Sequence, residues 1–480
     1  MFVNRMPRFE VLDADSLDVL DRGWRRILTE IGIDFGLPES VEAFRAAGQA
    51  VDGTVVRLDP EFVLEQVAKA PQEFDVRARN PARSLHVGGD HMVFASVYGP
   101  PFAREGDVRR EATGDDFRRL VMLSQEFEEL DTPGGVICEP NDLPLDSRHL
   151  DMTLALQTLS DKPYFGSVTS GDNARDSIRM SEILFGGREA IEREPVMFAI
   201  VNVNSPLRYD GRMLEALHAY AEAAQPVIVT PFLLMGTMAP VSIPAAIAQQ
   251  TAEAFAGIAL MQLLRPGTPV LLGSFLSTTN MQSGSPNFGG PESALGLYCT
   301  GQIARRYELP WRAGGGALTS SQTVDAQAAY EGLNTMLPAF LAGANLVMHT
   351  AGWLESGLVS CYEKMVVDVE IVRTLQAEFT PLTVDEESLA FDAHLEVGQG
   401  GHFLGAAHTL TRFRDCFYRP LLSSSDNFER WLRNGGLDAQ ARATEIWTRM
   451  LDEYEPPALD EDVAAELAQY VARRRGELGD

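Results

Sequence analysis

A short apolar run followed by a longer helical stretch recurs eight times between His91 and Phe379, and this alternation limits the architecture more than any other feature of the chain. The predicted strands are His91–Ser96, Pro133–Cys138, Pro163–Val168, Val196–Val203, Val227–Phe232, Val270–Phe275, Trp311–Ala313 and Asn345–Thr350. Each is apolar on both faces, as a parallel strand covered by helices must be. Helices are predicted between them over Gly114–Phe127, Asp146–Leu159, Ala174–Phe185, Gly211–Ala224, Pro244–Leu264, Pro291–Arg306 and Ala326–Ala342, with Ser360–Phe379 closing the series. Eight such units in a row predict an α/β fold of the (β/α)8 TIM-barrel type over residues 91–379, rather than an open, doubly wound sheet. No Gly-x-Gly-x-x-Gly follows a strand and no Gly-x-x-x-x-Gly-Lys is present, so the nucleotide-binding forms of a parallel sheet lack their usual signature.

The flanks read differently. Residues 1–90 are expected to form an N-terminal α/β extension packing on the barrel, with an amphipathic helix over Asp15–Gly32 and a strand then a helix over Val55–Pro71. It covers the bottom of the barrel or supports assembly. Residues 380–480 read as a C-terminal helical tail, with a Gly-rich turn at Gly398–Gly405 and a break at Glu455-Pro456-Pro457 before a charged last helix. A formal charge of −28 leaves nothing to neutralise phosphate, which argues against nucleic acid and an anionic membrane as partners. Cys138, Cys299, Cys361 and Cys416 are scattered without a Cys-x-x-Cys pair, so neither a disulfide framework nor a zinc knuckle is predicted. Met1–Glu10 has no apolar signal core and no run of about 18 apolar residues occurs, so a cytoplasmic protein is expected.

In a barrel, binding and catalytic groups sit at the C-terminal ends of the strands and in the loops beyond them. Those positions supply Ser96, Tyr98, Glu139, Asn141, Thr169, Ser170, Asn202, Asn204, Ser205, Phe232, Ser274, Thr278, Thr279, Arg312, the run Gly314-Gly315-Gly316, His349, Trp353, Glu355 and Ser356. A Schiff-base lysine is not among them, since Lys162 enters its strand from below and Lys364 lies beyond the last one. Glu139 is nearly alone as a carboxylate and His349 has no partner at ligand spacing, so no metal site is predicted. His402 and His408 in the Gly-rich tail read as capping and turn residues. What remains is a mouth of hydroxyls, amides, aromatics, one arginine and one histidine, suited to binding a small polar molecule and presenting it to something else. Arg312 reads as a clamp for a carboxylate or phosphate, or as half of an internal ion pair. His349 reads as a ligand contact or a satisfied core histidine. The glycine run admits a cofactor against bare backbone, or else is a tight turn. Tyr98, Phe232, Phe275 and Trp353 form a cation–π wall for a quaternary ammonium, or simply pack.

Longer stretches add a resemblance. They are Gly236-Thr-Met-Ala-Pro-Val-Ser-Ile-Pro-Ala-Ala, Gln250-Thr-Ala-Glu-Ala-Phe-Ala-Gly, Arg265-Pro-Gly-Thr-Pro-Val-Leu-Leu-Gly-Ser-Phe, Leu309-Pro-Trp-Arg-Ala-Gly-Gly-Gly and Asp325-Ala-Gln-Ala-Ala-Tyr-Glu. The segment Ala342 to Leu358, then Glu396-Val-Gly-Gln-Gly-Gly-His-Phe-Leu-Gly and Glu453-Tyr-Glu-Pro-Pro, continue the set. In combination, over most of the chain, these resemble the trimethylamine methyltransferase family of corrinoid-dependent methyltransferases, a family related to methanogenesis. The stretch Thr319-Ser-Ser-Gln-Thr-Val departs from the Thr-Asp-(Ala/Ser)-Lys type of sequence associated with it.

The resemblance implies a barrel that demethylates an amine and passes the methyl group to the cobalt of a corrinoid (cobalamin) on a separate protein. Founding members carry pyrrolysine; this chain uses only the ordinary twenty residues and so resembles the larger branch that acts on glycine betaine and similar quaternary amines. A quaternary ammonium leaves as a neutral amine, so orientation and desolvation suffice and no side chain is assigned a catalytic role. In this reading Arg312 meets the carboxylate of a betaine-like substrate, His349, Tyr98 and Asn202 make polar contacts, and Trp353 or Phe232 lies near the ammonium. Gly314, Gly315, Gly316, Ser274 and Glu355 are expected on the corrinoid side. The expected partners are a quaternary amine, a corrinoid-binding protein and further copies of the chain in a homo-oligomer. A methyltetrahydrofolate-type corrinoid methyltransferase and a non-catalytic betaine-binding barrel are the alternative readings.

Overall fold

The computed structural model describes residues 1–479. Seven parallel strands curl into one sheet: β1 (His91–Phe94), β2 (Tyr164–Phe165), β3 (Met197–Val203), β4 (Val227–Met235), β5 (Val270–Thr279), β6 (Trp311–Ala313) and β7 (Leu346–Val347). Along the sheet they run β1-β7-β6-β5-β4-β3-β2, so the first strand lies beside the last, and Phe2–Val3 adds an eighth, antiparallel strand on β1. The chain is therefore a mixed α/β fold with a curled sheet of eight strands in a row, to which Pro286–Asn287 adds a short antiparallel ninth on β5.

The second predicted strand, Pro133–Cys138, is not formed. Pro133 has no N–H to give to a ladder, and Gly134 adopts φ +75°, outside the strand region. The segment meets its neighbours through single bonds instead: Ser96 N donates to Thr132 O (3.3 Å), Gly99 N to Val136 O (2.7 Å) and Phe165 N to Gly134 O (2.9 Å). Trp311–Ala313 is present as predicted, and the other predicted strands are present with shifted ends. β4 and β5 run past Phe232 and Phe275 because Leu233–Met235 and Leu276–Thr278 go on pairing, whereas β1 and β7 are shorter than predicted.

Helices α1 (Gly114–Glu126), α2 (Arg148–Thr158), α3 (Gly171–Phe185), α4 (Gly211–Glu222), α5 (Ile243–Leu264), α6 (Pro291–Arg306), α7 (Ala326–Ala342) and α8 (Tyr362–Glu378) lie between and after the strands. Side-chain caps set their starts: Thr113 and Asp116 make a capping box on α1, and Ser170, Asp210 and Asp325 cap α3, α4 and α7. α5 is apolar nearly all round, which an outer helix can be only if its far side is covered. Ala14–Arg26 and Pro60–Val67 of the N-terminal extension pack against it. The first of these is α-helical only to Arg26 and then widens to a π-helix over Ile27–Ile31.

The extension also carries a hairpin, Phe74–Val76 with Leu85–Val87, whose apolar residues join Val93, Phe198, Ile228, Leu271 and Leu346 in one cluster inside the sheet. This plug fills the end of the interior where the strands begin and leaves polar residues to the end where they finish. In the tail, Ala439–Asp452 docks on α8 through Trp447, whose indole donates to Glu363 (3.0 Å). Glu461–Leu478 docks on α3, with the Tyr470 hydroxyl and Arg474 Nε donating to Asp176 (2.6 and 2.9 Å). Short helices Phe391–Val397, Ala407–Arg412 and Phe428–Arg433 leave Phe391, Leu404 and Phe417 exposed. Among the described residues, no helix is long and apolar enough to cross a membrane.

Candidate active site

Where the strands end, side chains on one face change from apolar to polar. Ile200 and Asn202 on β3, and Thr230 and Phe232 on β4, share a face because the strand period is two. With Phe275 of β5, Arg312 of β6, His349 beyond β7 and Tyr98 beyond β1, they line a cavity of about 210 Å³ that Phe288, Trp353, Ser356 and Gly357 complete. The six residues expected to meet substrate, Arg312, His349, Tyr98, Trp353, Phe232 and Asn202, all line this one cavity.

Arg312 is 1% exposed. Its Nη1 donates to Ser274 O (3.1 Å), its Nη2 to His349 Nε2 (2.8 Å), and its Nε has no partner. Among the described residues no carboxylate pairs with it, so the internal ion pair considered for it is not formed. Burial alone pushes its pKa down to about 9. A guanidinium yields its proton so reluctantly that the cavity holds a buried cation in want of an anion.

His349 accepts from Arg312, which makes Nε2 the lone-pair nitrogen and puts the ring proton on Nδ1. Burial, and then the Arg312 charge, hold its pKa well below the usual range. Its ring lies flat on Trp353, 3.6 Å between centroids at 10°. Phe232 stacks on Phe275 at 4.5 Å, and Phe288 on Trp353 at 5.9 Å. Burial, and next the nearby Glu139 charge, raise the pKa of the Tyr98 phenol, so it stays protonated. Thr230 Oγ1, Arg312 Nε, His349 Nδ1 and Trp353 Nε1 are buried without a protein partner. Each such atom costs about 1–3 kcal/mol if left unmet, and their gathering around one cavity marks a place prepared for a polar ligand.

The residues expected on the corrinoid side lie elsewhere. Gly314, Gly315 and Gly316 are buried, and the space a Cβ would take is filled by the protein itself: Phe275 and Ser274 O against Gly314, Leu297 against Gly315, the His349 carbonyl against Gly316. They serve close internal packing rather than an open approach to a cofactor. Gly316 in particular lets the chain after β7 pass close by, where His349 sits at φ +64°. Ser274 turns its hydroxyl outward to Gln250 (2.8 Å) and gives its carbonyl to Arg312. Glu355 stands at the rim, paired with Arg109 at 2.9 Å.

Other strand-end candidates are engaged locally. Ser96 bonds Ser124 (2.9 Å) and Glu139 pairs with Arg148; Lys162, which enters its strand from below, is spent on the carbonyls of Ser124, Phe127 and Leu130. Sequence reasoning missed Ile200, Thr230, Phe288 and Gly357. Stepping back two residues from Asn202 and Phe232 finds the first two; Phe288 lies in a loop with no period to betray it. Among the described residues, no group of three or more His, Cys, Asp and Glu is placed to hold a metal ion.

The family model for trimethylamine methyltransferase (MTTB) matches residues 1–479. The chain is 40% identical over 476 residues to glycine betaine methyltransferase of Desulfitobacterium hafniense (strain Y51), with 99% of each protein covered. It is 28% identical over 464 residues to trimethylamine methyltransferase MttB of Desulfitobacterium hafniense (strain DSM 10664 / DCB-2), covering 94% of this chain and 91% of that one. Proline betaine:corrinoid methyltransferase of Eubacterium limosum is 27% identical over 415 residues, covering 84% and 85%. The crystal structure of the hydroxylamine MtmB complex has a similar fold, with a TM-score of 0.53 at 12% identity, covering 99% of this chain and 90% of that one.

Proposed function

This chain belongs to the trimethylamine methyltransferase family, and from that membership we propose that it moves a methyl group from a quaternary amine of the glycine betaine type to a corrinoid carried by a separate protein. The observation that carries the substrate class is the buried, acid-free guanidinium of Arg312. Trimethylamine brings no anion to it; a betaine brings a carboxylate, and charge-assisted bonds of this kind are about twice as strong as neutral ones. With the carboxylate on Arg312, the ammonium falls beside Phe232, a partly exposed ring of the aromatic wall, where a cation–π contact contributes about 0.5–2 kcal/mol. His349 through Nδ1–H, with Tyr98, Asn202 and Thr230, fixes the orientation.

A quaternary ammonium departs as a neutral amine, so these residues need only align the reacting methyl and exclude water from it. The corrinoid, when bound, supplies the reduced cobalt that receives the methyl group. Exposed apolar side chains in the segments leaving β4, β5 and β7, namely Val241, Met281 and Leu358, fit a broad apolar group at the mouth. The same reading takes the curled sheet as a closed barrel, supported by the single bonds through residues 132–136, and takes exposed Phe391, Leu404 and Phe417 as support for self-association.

The test is anaerobic mixing with cob(I)alamin and a panel of amines, followed by absorbance. Glycine betaine is expected to consume cob(I)alamin and trimethylamine is not. Preference for trimethylamine, transfer from methyltetrahydrofolate, or betaine binding without transfer overturns the proposal.

A further inference from the structure

A second, larger cavity of about 530 Å³ lies at the same end of the sheet, on the far side of Tyr98. Gly135 stands between the two: it lines the larger cavity, and a Cβ there would meet Phe165 at 2.9 Å and the Tyr98 ring at 3.3 Å. Part of the lining is apolar, from Val136, Met152, Leu156 and Phe165. The rest is polar, and one member of it is unsatisfied. His149 of α2 is 5% exposed, with Nε2 2.9 Å from Asp176 Oδ2. The Asp176 carboxylate can only accept, so Nε2 is the donor; the other ring nitrogen, Nδ1, is buried and has no partner.

The ligand that suits this cavity brings a hydrogen-bonding group to His149. It is not an anion, because Glu139, Asp146 and Asp172 outnumber Arg148 and Arg212 in the lining, and Arg148 already pairs with Glu139. It has an apolar body to lie on the Val136–Phe165 surface, and carbonyl groups for Thr169 and Asn173. A corrin ring has this chemistry: an apolar macrocycle fringed with primary amides, whose N–H groups donate and whose carbonyls accept. We propose that this cavity seats the amide-bearing edge of the corrin ring beside the amine pocket, with a primary amide hydrogen-bonded to His149 Nδ1. The inference rests on the methyl-transfer reading above and adds a corrin contact around β2 to the apolar one at the segments leaving β4, β5 and β7.

Hydroxocobalamin is the probe, titrated against the full chain and against Thr169→Trp and His149→Phe, with glycine betaine binding measured in parallel by calorimetry. Thr169 is exposed and tolerates a large replacement, and thermal melting checks that both variants are folded. The dissociation constant for hydroxocobalamin is expected to rise about tenfold or more in both, while that for glycine betaine stays within about twofold. If the variants bind hydroxocobalamin as tightly as the parent, or lose betaine binding equally, the inference is overturned and the betaine reading stands. A slowing seen only with the corrinoid protein, and not with free cobalamin, assigns the cavity to the partner's polypeptide and overturns it too. A parent chain that transfers no methyl group to cob(I)alamin removes both readings together.

Discussion

Arg312 and His349 share one hydrogen bond, 2.8 Å from Nη2 to Nε2, and through it a buried arginine is held by a neutral histidine rather than by an acid. The arrangement keeps the positive charge of the guanidinium undiminished while fixing where it points. A carboxylate in place of His349 would neutralise the cation and leave the cavity with no reason to take an anionic ligand.

Replacing that charge separates binding from stability. Arg312→Leu is expected to lower kcat/KM for glycine betaine by about 100-fold or more, since a buried charge pair with substrate is lost. The same variant should melt at a higher temperature than the parent without ligand, because an uncompensated buried cation has been removed. Paired kinetics and melting curves check both, and a variant that retains betaine turnover would sink the assignment.

Acidification should act through His349. Its pKa in the fold lies well below the ordinary 6.5, so below about pH 6.5 the unfolded chain binds a proton that the folded chain refuses. This contribution to stability is fully present above about pH 6.5 and declines as pH falls from there toward the depressed value in the fold. Melting temperatures of the parent and of His349→Asn, compared at pH 7.5 and pH 5.5 (about one unit either side of 6.5), should show the larger loss in the parent.

The aromatic wall has a test that holds shape constant. The carbon isostere 3,3-dimethylbutanoate keeps the carboxylate and the three methyl groups but lacks the charge. The parent should prefer glycine betaine over it, and Phe232→Leu should shrink that preference by about fivefold, the size of one partly desolvated cation–π contact. An unchanged preference would show that Phe232 only packs against Phe275.

Gly316→Ala probes the support behind the site. The new methyl group would collide with the His349 carbonyl, forcing the end of β7 to shift. About 1–3 kcal/mol of stability should be lost, and the betaine dissociation constant should rise because His349 no longer aims Arg312. Calorimetry on the folded variant separates this from simple unfolding.

Much of this was legible in the chain. Apolar strands alternating with helical stretches announced the α/β class, and the rule that barrel chemistry sits at strand ends singled out Arg312, His349, Asn202 and Phe232. What misled was local composition read without its surroundings. Pro133–Cys138 looks apolar enough for a strand, yet Pro133 and Gly134 keep it from pairing as one. Gly314–Gly316 looks like bare backbone offered to a ligand, yet Phe275, Leu297 and the His349 carbonyl already occupy that space.

The sequence by itself determined the periodicity, and with it the order of strands, the covered faces and the small set of polar residues that could stand at the mouth. Only the tertiary structure decided which of them face one another. Whether Arg312 has an acid beside it, which ring nitrogen of His349 is free, and that Thr230 and Trp353 leave polar atoms unmet depend on side chains from β4, β6 and the segment after β7 meeting in space. Those distances are set by how the strands curl and how neighbouring side chains pack, which no local pattern in the chain encodes.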